Sequence, residues 1–344
     1  MKYRQLGRTG AYVSEIALGA GTFGGSPETG GMDQGTADAL VRCAVDAGVN
    51  FLDTADAYWT GQSETMLGQA IKNLGLNRSD LVVTSKVNNP MGPEPNNRGA
   101  SRIHIMDGVK KSLKRLQMDY IDLYQIHSHD AVTPVEETVR ALEDLVTQGL
   151  VRYVGASNWP AYRIAKALGI SERYGWAKFA TTQGYYCLSG RDIERELVPC
   201  LLEEGVGLLA WSPLDGGFLS GKVPREGLAP PGTRQAVLQG YPPVNRERAW
   251  DCVDVIRIVA EEIGCTVPQV AIAWVLHQPA VSAVLLGARR VDQLTDTLGA
   301  CDVVLSEDHL ARLDEVSRLP SEYPGWILSK QAPSRFPAPF KPSR

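Results

Sequence analysis

The chain has 344 residues, of which 44% are hydrophobic and 22% charged, and its formal net charge is −4, with acidic and basic residues mixed along the sequence. This composition predicts a globular protein and argues against a nucleic-acid-binding stripe or a basic membrane-binding patch. No apolar run approaches the roughly 18 residues that a membrane span needs, and the N-terminus lacks the apolar core of a signal peptide. The six cysteines are scattered without a CxxC pair, which is typical of a reduced, cytoplasmic protein with buried thiols.

Residues 2–15 place two short runs around a glycine-bearing turn, a pattern typical of a β-hairpin. Eight apolar runs then alternate with helical patterns. The predicted strands span residues 16–18, 50–53, 81–86, 121–127, 151–156, 177–183, 206–211 and 281–286. The predicted helices span residues 36–47, 63–74, 101–116, 134–148, 160–168, 192–204, 247–263, 267–277, 290–298 and 306–318. Thr133 and Pro134 are expected as the N-cap and first residue of the fourth helix, and Thr266 as the cap of the helix at 267–277.

This alternation predicts an α/β fold, a parallel (β/α)8 TIM barrel with an N-terminal β-hairpin and extra helices. The loop at 212–246, after the seventh strand, is longer than a connection requires, so we expect it to serve a ligand. No repeat or linker divides the sequence, and residues 1–344 are predicted to form a single domain. In the tail, about 320–344, Tyr323 and Trp326 are candidates to fold over the barrel mouth, and about the last ten residues are expected to be mobile.

Three of the predicted strands end in polar residues whose chemistry is related. The run at 50–53 ends in Asp53, with Tyr58 five residues later in a loop. Lys86 ends the third strand and His127 ends the fourth. Because the parallel strands of a barrel end at one face, where barrel enzymes place their active sites, we expect these four side chains to meet there.

Together these four residue types predict an acid that protonates a carbonyl oxygen during reduction. A tyrosine has a pKa near 10, but a nearby ammonium stabilises the phenolate and lowers that pKa. Lys86 is placed to be this ammonium, Asp53 to keep it charged, and His127 to hydrogen-bond the oxygen of a bound aldehyde or ketone. None of these side chains supplies an electron pair to the carbon, so the site also predicts a reduced nicotinamide cofactor as hydride donor.

The sequence resembles the aldo-keto reductase family over nearly its whole length, from residue 3 to about residue 318. The segments that carry the resemblance are Asp53-Thr-Ala-Asp-Ala-Tyr58, Ser63-Glu64, Leu113-Lys-Arg-Leu-Gln-Met-Asp-Tyr-Ile-Asp-Leu-Tyr-Gln-Ile-His127, Val154-Gly-Ala-Ser-Asn158, Ala210-Trp-Ser-Pro-Leu214 and Leu286-Gly-Ala-Arg-Arg290. The resemblance implies an NADPH-dependent oxidoreductase that acts on a small-molecule carbonyl or alcohol substrate. Tyr58 would be the proton donor, Lys86 and Asp53 the pair that tunes its pKa, and His127 the partner that orients the carbonyl.

The resemblance also assigns a site for NADPH or NADP+, extended across the barrel top without a Gly-rich dinucleotide loop. The implied cofactor-binding residues are Gly21, Thr22, Phe23, Ser157, Asn158, Gln183, Trp211, Ser212, Leu214, Gly217, Lys222, Gly287, Arg289, Gln293 and Thr297. The carboxamide of the cofactor would be bound by Ser157, Asn158 and Gln183, and the face of its nicotinamide ring would pack on Trp211. Its pyrophosphate would be bound by Ser212, Leu214, Gly217 and Lys222. Arg289 and Gln293 fall where the 2′-phosphate is bound, which favours NADPH over NADH because arginine pairs well with a phosphate dianion.

Three departures from the family pattern affect the site. Trp59 follows the tyrosine where a glycine or small residue is commoner, which would narrow the substrate mouth or add a stacking wall. Thr297 stands where asparagine is usual near the adenine, and Tyr185-Tyr186-Cys187 replaces a Tyr-Asn pair. The substrate pocket is predicted at Trp59, Asn88, His129 and Trp159. With Phe23, Trp211 and Trp326, they form an aromatic rim suited to a bulky or cyclic carbonyl compound.

Two other functions are open alternatives. The same fold serves as the cytoplasmic β subunit of potassium channels, so the chain is alternatively a non-catalytic, NADPH-binding regulatory subunit. A barrel aldolase that uses Lys86 as a Schiff-base amine ranks last, because a lysine matched with aspartate should stay protonated. His127 and His129 share a strand face and suggest a zinc pair, but no third ligand is evident, and no metal site is predicted. The oligomeric state is left open.

Overall fold

Eight parallel strands close into a barrel in the computed structural model of the protein, which describes residues 1–25, 31–226, 230 and 241–335. The barrel strands are β3 (Ile16–Gly19), β4 (Phe51–Asp53), β5 (Val82–Val87), β6 (Ile121–Ile126), β7 (Val151–Ser157), β8 (Phe179–Tyr185), β9 (Gly207–Trp211) and β10 (Val281–Leu286). Each pairs with its neighbour in sequence, and β10 closes the barrel against β3. Two further strands, β1 (Tyr3–Gln5) and β2 (Tyr12–Ser14), form an antiparallel hairpin. The predicted barrel and hairpin are both confirmed.

The helices that follow the strands agree with the sequence pattern at most boundaries. They are α1 (Gln34–Asp46), α2 (Gln62–Asn73), α3 (Arg102–Leu116), α4 (Val135–Thr147), α5 (Ala161–Tyr174), α6 (Leu197–Glu204), α7 (Arg246–Ile263), α8 (Val267–His277), α9 (Val291–Leu298), α10 (Glu307–Ser317) and α11 (Gly325–Arg335). The predicted helix at 160–168 was too short, because α5 continues through Gly169 to Tyr174. Gly175, whose φ is +65°, caps its C-terminus. The predicted helix at 192–204 is interrupted: a 3-10 turn precedes α6, which begins only at Leu197.

The predicted helix caps are right for α8 and wrong for α4. Thr266 and Gln269 form a capping box at the start of α8. In α4, Pro134 is itself the N-cap residue. The hydroxyl of Thr133 instead donates to the carboxylate of Asp130 at 2.6 Å, so it does not cap the helix.

The N-terminal hairpin fills the bottom of the barrel. Leu6 and Val13 are fully buried and pack in one cluster with side chains from inside the barrel, including Phe51 and Leu123. The hairpin turn fits tightly there, since a Cβ added at Gly7 would lie 2.1 Å from a backbone oxygen of β8. The C-terminal ends of the strands therefore form the face that is left for a site.

The tail leaves the barrel after α10. Arg195 holds its first residues, donating to the carbonyl of Pro320 and pairing with Glu322 at 3.0 Å. Tyr323 is 77% exposed and Trp326 is 48% exposed, and their place over the barrel mouth stays a prediction. The last residues that were expected to be mobile, 336–344, lie outside the described residues, as do residues 227–229 and 231–240 of the long loop.

Within the described ranges, no single helix is long and apolar enough to cross a membrane; only α7 and α8 taken together, across a 97° bend, reach that length and composition.

A buried acidic pair lies near the loop that leads to Tyr58. The Glu64 carboxylate is fully buried and accepts hydrogen bonds from Arg115 at 2.6 Å and Ser85 at 2.5 Å. Asp56 is equally buried, but neither of its carboxylate oxygens has a partner in ordinary hydrogen-bond geometry among the described residues. Burial, followed by the charge of Glu64, raises the pKa of Asp56 to about 7, against the opposing effects of Arg115, the Ala57 amide and Lys86. Asp56 is therefore a site where folding and protonation are coupled.

The Asp56→Asn substitution should change how stability depends on pH. Because the folded pKa lies above that of the unfolded chain, the wild type loses stability as pH rises from about 4 to 7. We expect the variant to be more stable than the wild type by about 1–4 kcal/mol at pH 8 and nearly equal to it at pH 4. Urea unfolding at the two pH values measures this. Asp107→Asn on the exposed face of α3 is the control, and an equal pH effect in both variants would contradict the assignment.

Two helical glycines make a matched test of packing. A Cβ added at Gly68 in α2 would lie 2.2 Å from the carbonyl oxygen of Leu116, whereas one added at Gly169 in α5 would meet nothing within 4 Å. We expect Gly68→Ala to destabilise the fold by about 1–3 kcal/mol through overpacking of α2 against α3. Gly169→Ala should stabilise it by roughly 0.5–1 kcal/mol through helix propensity. Thermal or urea unfolding measures the stability of both variants. Equal changes in stability would refute the close approach of α2 to α3.

Candidate active site

The four residues predicted for catalysis meet at the C-terminal end of the barrel. Asp53 is the last residue of β4, Lys86 is the fifth of six residues in β5, and His127 directly follows β6. Tyr58 begins a short 3-10 turn after β4. Parallel pairing of β4, β5 and β6 puts these strand ends side by side.

Lys86 is the centre of the group. Its ammonium is fully buried and donates to Asp53 Oδ2 at 2.7 Å, to the Thr54 carbonyl at 2.8 Å and to the Tyr58 hydroxyl oxygen at 3.4 Å. Burial lowers the pKa of Lys86, but the charges of Asp53 and Tyr58 and the hydrogen bonds to them outweigh burial and raise it overall. The lysine is therefore a permanent cation in the neutral range.

Asp53 is held from both sides. Its Oδ2 atom accepts a hydrogen bond from the Lys86 ammonium, and its Oδ1 atom accepts one from Gln183 Nε2 at 2.9 Å. Gln183 was assigned to the cofactor carboxamide. With its amide nitrogen turned to Asp53, its Oε1 atom is the part that can accept a hydrogen bond from such a group.

Tyr58 differs from the prediction in the direction of its pKa. The sequence predicted that Lys86 lowers this pKa, but burial of the half-buried phenol raises it above 10, and the lowering effect of Lys86 does not compensate. Asp53 opposes Lys86 because its negative charge disfavours a phenolate. The phenol is therefore protonated at neutral pH. Since the Lys86 ammonium donates to its oxygen, the Tyr58 O–H can donate to another acceptor.

His127 is neutral in the neutral pH range. Its ring meets the Tyr58 ring edge-on, with centroids 5.5 Å apart. Burial, with a further contribution from the charge of Lys86, lowers the pKa of His127 to about 3. The Asn89 side-chain nitrogen lies 3.4 Å from Nδ1; with the amide in this orientation Nδ1 accepts, and the matching neutral tautomer carries its proton on Nε2. The site thus holds two neutral donors, Tyr58 O–H and His127 Nε2–H.

The residues assigned to the nicotinamide form a rigid wall beside these donors. Asn158, in a left-handed conformation with φ of 56°, donates to the His127 carbonyl at 3.0 Å and to Ser157 Oγ at 2.9 Å. Its Oδ1 accepts from the Trp211 indole at 3.1 Å. Asn158 therefore uses its side-chain amide to join β6, β7 and β9 and to fix the Trp211 ring.

Tyr241, which the sequence analysis missed, lies parallel to Trp211, with centroids 6.0 Å apart and planes 11° apart. It raises the pKa of Tyr58 slightly through its charge, a smaller effect than those of burial, Lys86 and Asp53. Tyr241 therefore belongs to the surroundings of the catalytic phenol. No sequence signal marked it, because it stands far from every strand end along the chain.

The segment after β9 turns repeatedly through left-handed backbone, at Ser212, Asp215, Gly216, Gly217 and Gly221. Ser212 Oγ accepts a hydrogen bond from the Gly216 amide at 2.9 Å, which fixes the first turn. Of the other residues assigned to the pyrophosphate, the Leu214 side chain is half-buried and Lys222 is exposed.

Asp215 explains the unusual residues at the end of β8. Its buried carboxylate accepts from the Tyr185 hydroxyl at 2.5 Å and from Ser189 Oγ at 2.7 Å, and the Cys187 thiol also donates to the Tyr185 oxygen at 3.4 Å. Burial raises the pKa of Asp215, against these hydrogen bonds. The carboxylate thus anchors the turn to β8.

The residues assigned to the 2′-phosphate lie at the start of α9: Arg289 precedes the helix, and Gln293 is in its first turn. Gln293 Oε1 accepts from the Arg289 amide at 3.3 Å, and Arg290 pairs with Asp292. Among the described residues, Arg289 itself forms no ion pair, so its half-buried guanidinium is available beside the N-terminus of α9, where anions are favoured. The Thr297 hydroxyl donates back to the Gln293 carbonyl at 3.0 Å.

Of the other residues predicted to bind cofactor or substrate, some lie near the barrel mouth and others are buried in the hydrophobic core. Thr22 Oγ1 donates to the Ala288 carbonyl at 3.1 Å, beside the exposed Gly287. Phe23 is fully buried, so its side chain is core and does not reach the rim. Trp159 is also core: it is 4% exposed and packs edge-on against Phe179.

The predicted substrate residues Asn88 and His129 lie close to the catalytic strand ends. Asn88 is buried and donates to Ser128 Oγ at 2.6 Å, directly beyond Val87 at the end of β5. His129 is half-buried, and its ring lies edge-on to Trp159 at 6.1 Å. Asn88 stands two residues after Lys86 and His129 two residues after His127, and their role at a substrate wall stays a prediction.

Comparison with known proteins identifies the family of the chain. Residues 15–318 match the model of the aldo/keto reductase family. A probable voltage-gated potassium channel subunit beta of Arabidopsis thaliana is 40% identical over 309 residues, which cover 88% of this chain and 92% of that protein. A protein of the same description from Oryza sativa subsp. japonica is 39% identical over 310 residues, with the same coverage. The chain therefore belongs to the aldo/keto reductase family.

Proposed function

We propose that the protein is an NADPH-dependent oxidoreductase that reduces an aldehyde or ketone, bulky or cyclic, to the alcohol. The observation that carries this proposal is the pairing of two neutral donors with one buried cation. The Tyr58 and His127 rings lie edge-on with centroids 5.5 Å apart at the same end of the barrel, and the Lys86 ammonium donates to the phenol oxygen at 3.4 Å.

The side chains divide the work on a carbonyl oxygen. His127 donates from Nε2 and orients the oxygen, and Tyr58 transfers its proton as negative charge develops there. The phenolate that remains is stabilised by Lys86, which Asp53 holds in place at 2.7 Å. The high pKa of free Tyr58 keeps the proton on the phenol until an alkoxide, a far stronger base, forms beside it. When bound, a reduced nicotinamide supplies the hydride for the carbonyl carbon.

The residues present fit such a cofactor. Gln183 offers its Oε1 atom to a carboxamide, and Trp211 offers an aromatic ring fixed by Asn158. The residues assigned to the pyrophosphate lie together in the short segment from Ser212 to Lys222, where the exposed Lys222 can offer a cation to a phosphate. Arg289, without a carboxylate partner among the described residues, suits a 2′-phosphate. These features support NADPH rather than NADH.

A second candidate function follows from the likeness to the two plant proteins, which are probable potassium channel subunits beta. A regulatory subunit that binds NADPH and turns over slowly or not at all would keep the same residues. Turnover separates the two candidates: a panel of aldehydes and ketones is tested for oxidation of NADPH, followed at 340 nm. Tight NADPH binding without turnover across the panel would favour the regulatory role. A Schiff-base aldolase is disfavoured, because the Lys86 ammonium already serves three acceptors and its pKa is raised.

Tyr58→Phe tests the proposed acid. We expect kcat to fall by about 100-fold or more, because a positioned general acid contributes that much. The dissociation constant for NADPH, measured by tryptophan fluorescence quenching, should stay within about twofold, because Tyr58 is assigned to the substrate oxygen. Tyr162→Phe, on the exposed face of α5, is the control. A full rate in the Tyr58 variant would refute the assignment.

Arg289→Ala tests the choice of cofactor. Loss of a charge-assisted pair with phosphate should weaken NADPH binding by about 10- to 100-fold and leave NADH binding nearly unchanged. The neighbouring Arg290→Ala is a matched control, because Arg290 already pairs with Asp292 at 2.7 Å. Titration of each variant with both nucleotides gives the ratio. Equal losses for NADPH and NADH would show that Arg289 does not bind the 2′-phosphate.

A further inference from the structure

The backbone directly after the catalytic tyrosine is unusual. Trp59 (φ 51°, ψ 38°), Thr60 (φ 52°, ψ 45°) and Gly61 (φ 89°) follow one another in the left-handed region. This region is uncommon for side chains other than glycine, asparagine and aspartate, and it is an outlier for a bulky residue. Such a conformation persists only where surrounding contacts hold it. The contacts of the Trp59 indole are therefore informative.

The indole of Trp59 is clasped by the loop after β3. Its Nε1–H donates to the Gly21 carbonyl at 3.2 Å. A Cβ added at Gly24 would lie 2.7 Å from Trp59 Cβ, and one added at Gly25 would lie 2.5 Å from Cζ3 of the ring. Two consecutive glycines are thus required for the loop to lie this close to the ring. We call Trp59 together with residues 21–25 the clasp.

Further hydrogen bonds hold both sides of the clasp. The Gly25 amide donates to Gln62 Oε1 at 2.9 Å, and Ser63 Oγ donates to the Ala20 carbonyl at 2.6 Å. On the other side, Thr22 donates to the Ala288 carbonyl, one residue before Arg289. The clasp therefore connects the start of α2 with the segment proposed to bind the cofactor phosphate.

The clasp lies next to the catalytic ring. A Cβ built at Gly21 would lie 3.7 Å from Tyr58 Cε2 and 3.9 Å from Cδ2 and Cζ, so even a one-carbon side chain at this position would touch the ring. The same ring has the Lys86 ammonium 4.9 Å from its centroid and the His127 ring at its edge. Gly21 is therefore a near neighbour of the phenol, as its catalytic partners are.

We propose that Trp59 is a positioning residue for Tyr58: by holding residues 21–25 against the phenol, it sets the direction of the reactive hydroxyl. This proposal rests on the proposed function. It differs from a role for Trp59 as a substrate wall, because a wall changes KM for large substrates, whereas a misplaced phenol lowers kcat for every substrate.

Three variants separate these roles. Trp59→Gly removes the indole and also relieves the left-handed strain at that residue. Trp59→Phe keeps a ring against Gly24 and Gly25 but loses the hydrogen bond to Gly21. Thr60→Gly relieves the same kind of strain at the exposed neighbour without touching the clasp. We expect kcat of Trp59→Gly to fall at least about 10-fold on both a small aliphatic and a bulky aromatic aldehyde. Trp59→Phe should recover most of this loss, and Thr60→Gly should stay within about twofold of the wild type.

A second readout does not depend on turnover. In protein labelled with 13C at tyrosine Cζ, the Tyr58 resonance is assigned by its absence in Tyr58→Phe. It should move in Trp59→Gly and stay in place in Thr60→Gly. A wild type that reduces no carbonyl compound would refute the proposed function, and the resonance would still decide whether Trp59 positions the phenol.

Several results would overturn the proposal. These are a loss confined to the bulky aldehyde, equal losses in Trp59→Gly and Thr60→Gly, or an unmoved Tyr58 resonance in Trp59→Gly. Should Trp59→Gly fail to fold, Gly24→Ala displaces the same indole from the loop side. It must then lower kcat on both aldehydes for the proposal to stand.

Discussion

The site depends on one buried ion pair, between Lys86 and Asp53. A lysine ammonium without contact to water is costly unless its hydrogen-bond donors find partners. Here the Lys86 ammonium donates hydrogen bonds to Asp53, the Thr54 carbonyl and the Tyr58 oxygen. Gln183 donates to the second carboxylate oxygen of Asp53. The ends of β4, β5 and β8 must therefore lie at the same level along the barrel axis, so that the buried Lys86 ammonium and Asp53 find their hydrogen-bond partners. The barrel supplies this alignment, since neighbouring parallel strands keep a fixed register.

Most of the fold could be predicted from the sequence, because strand–helix alternation is a local pattern and only a few topologies accommodate eight such units. The grouping of Asp53, Tyr58, Lys86 and His127 followed from the same pattern. The ends of helices were less predictable near glycines, because a glycine can either end a helix or lie within it. Gly169 lies within α5. The sequence also could not show that Phe23 and Trp159 turn into the core, because facing direction in loops depends on tertiary packing.

The pKa of Tyr58 illustrates a different limit. Residue types alone indicate an ammonium beside a phenol, and this predicts a lower pKa. The outcome depends on how much water the phenol loses and on Asp53, which cancels part of the lysine's field. Both quantities are set by packing distances that no local pattern encodes. Tyr241 and the carboxylate of Asp215 were missed for the same reason, since their partners are distant in sequence.

The hairpin at the bottom of the barrel has a consequence for the proposed reaction cycle. Leu6 and Val13 close the N-terminal end with buried apolar side chains, which disfavours proton supply to Lys86 and Asp53 from below. In the proposed cycle, each proton that Tyr58 gives up is then replaced from the mouth, through the opening that admits substrate and releases alcohol. Re-acidification of the phenol and departure of product thus share one route, and a product that lingers there delays both.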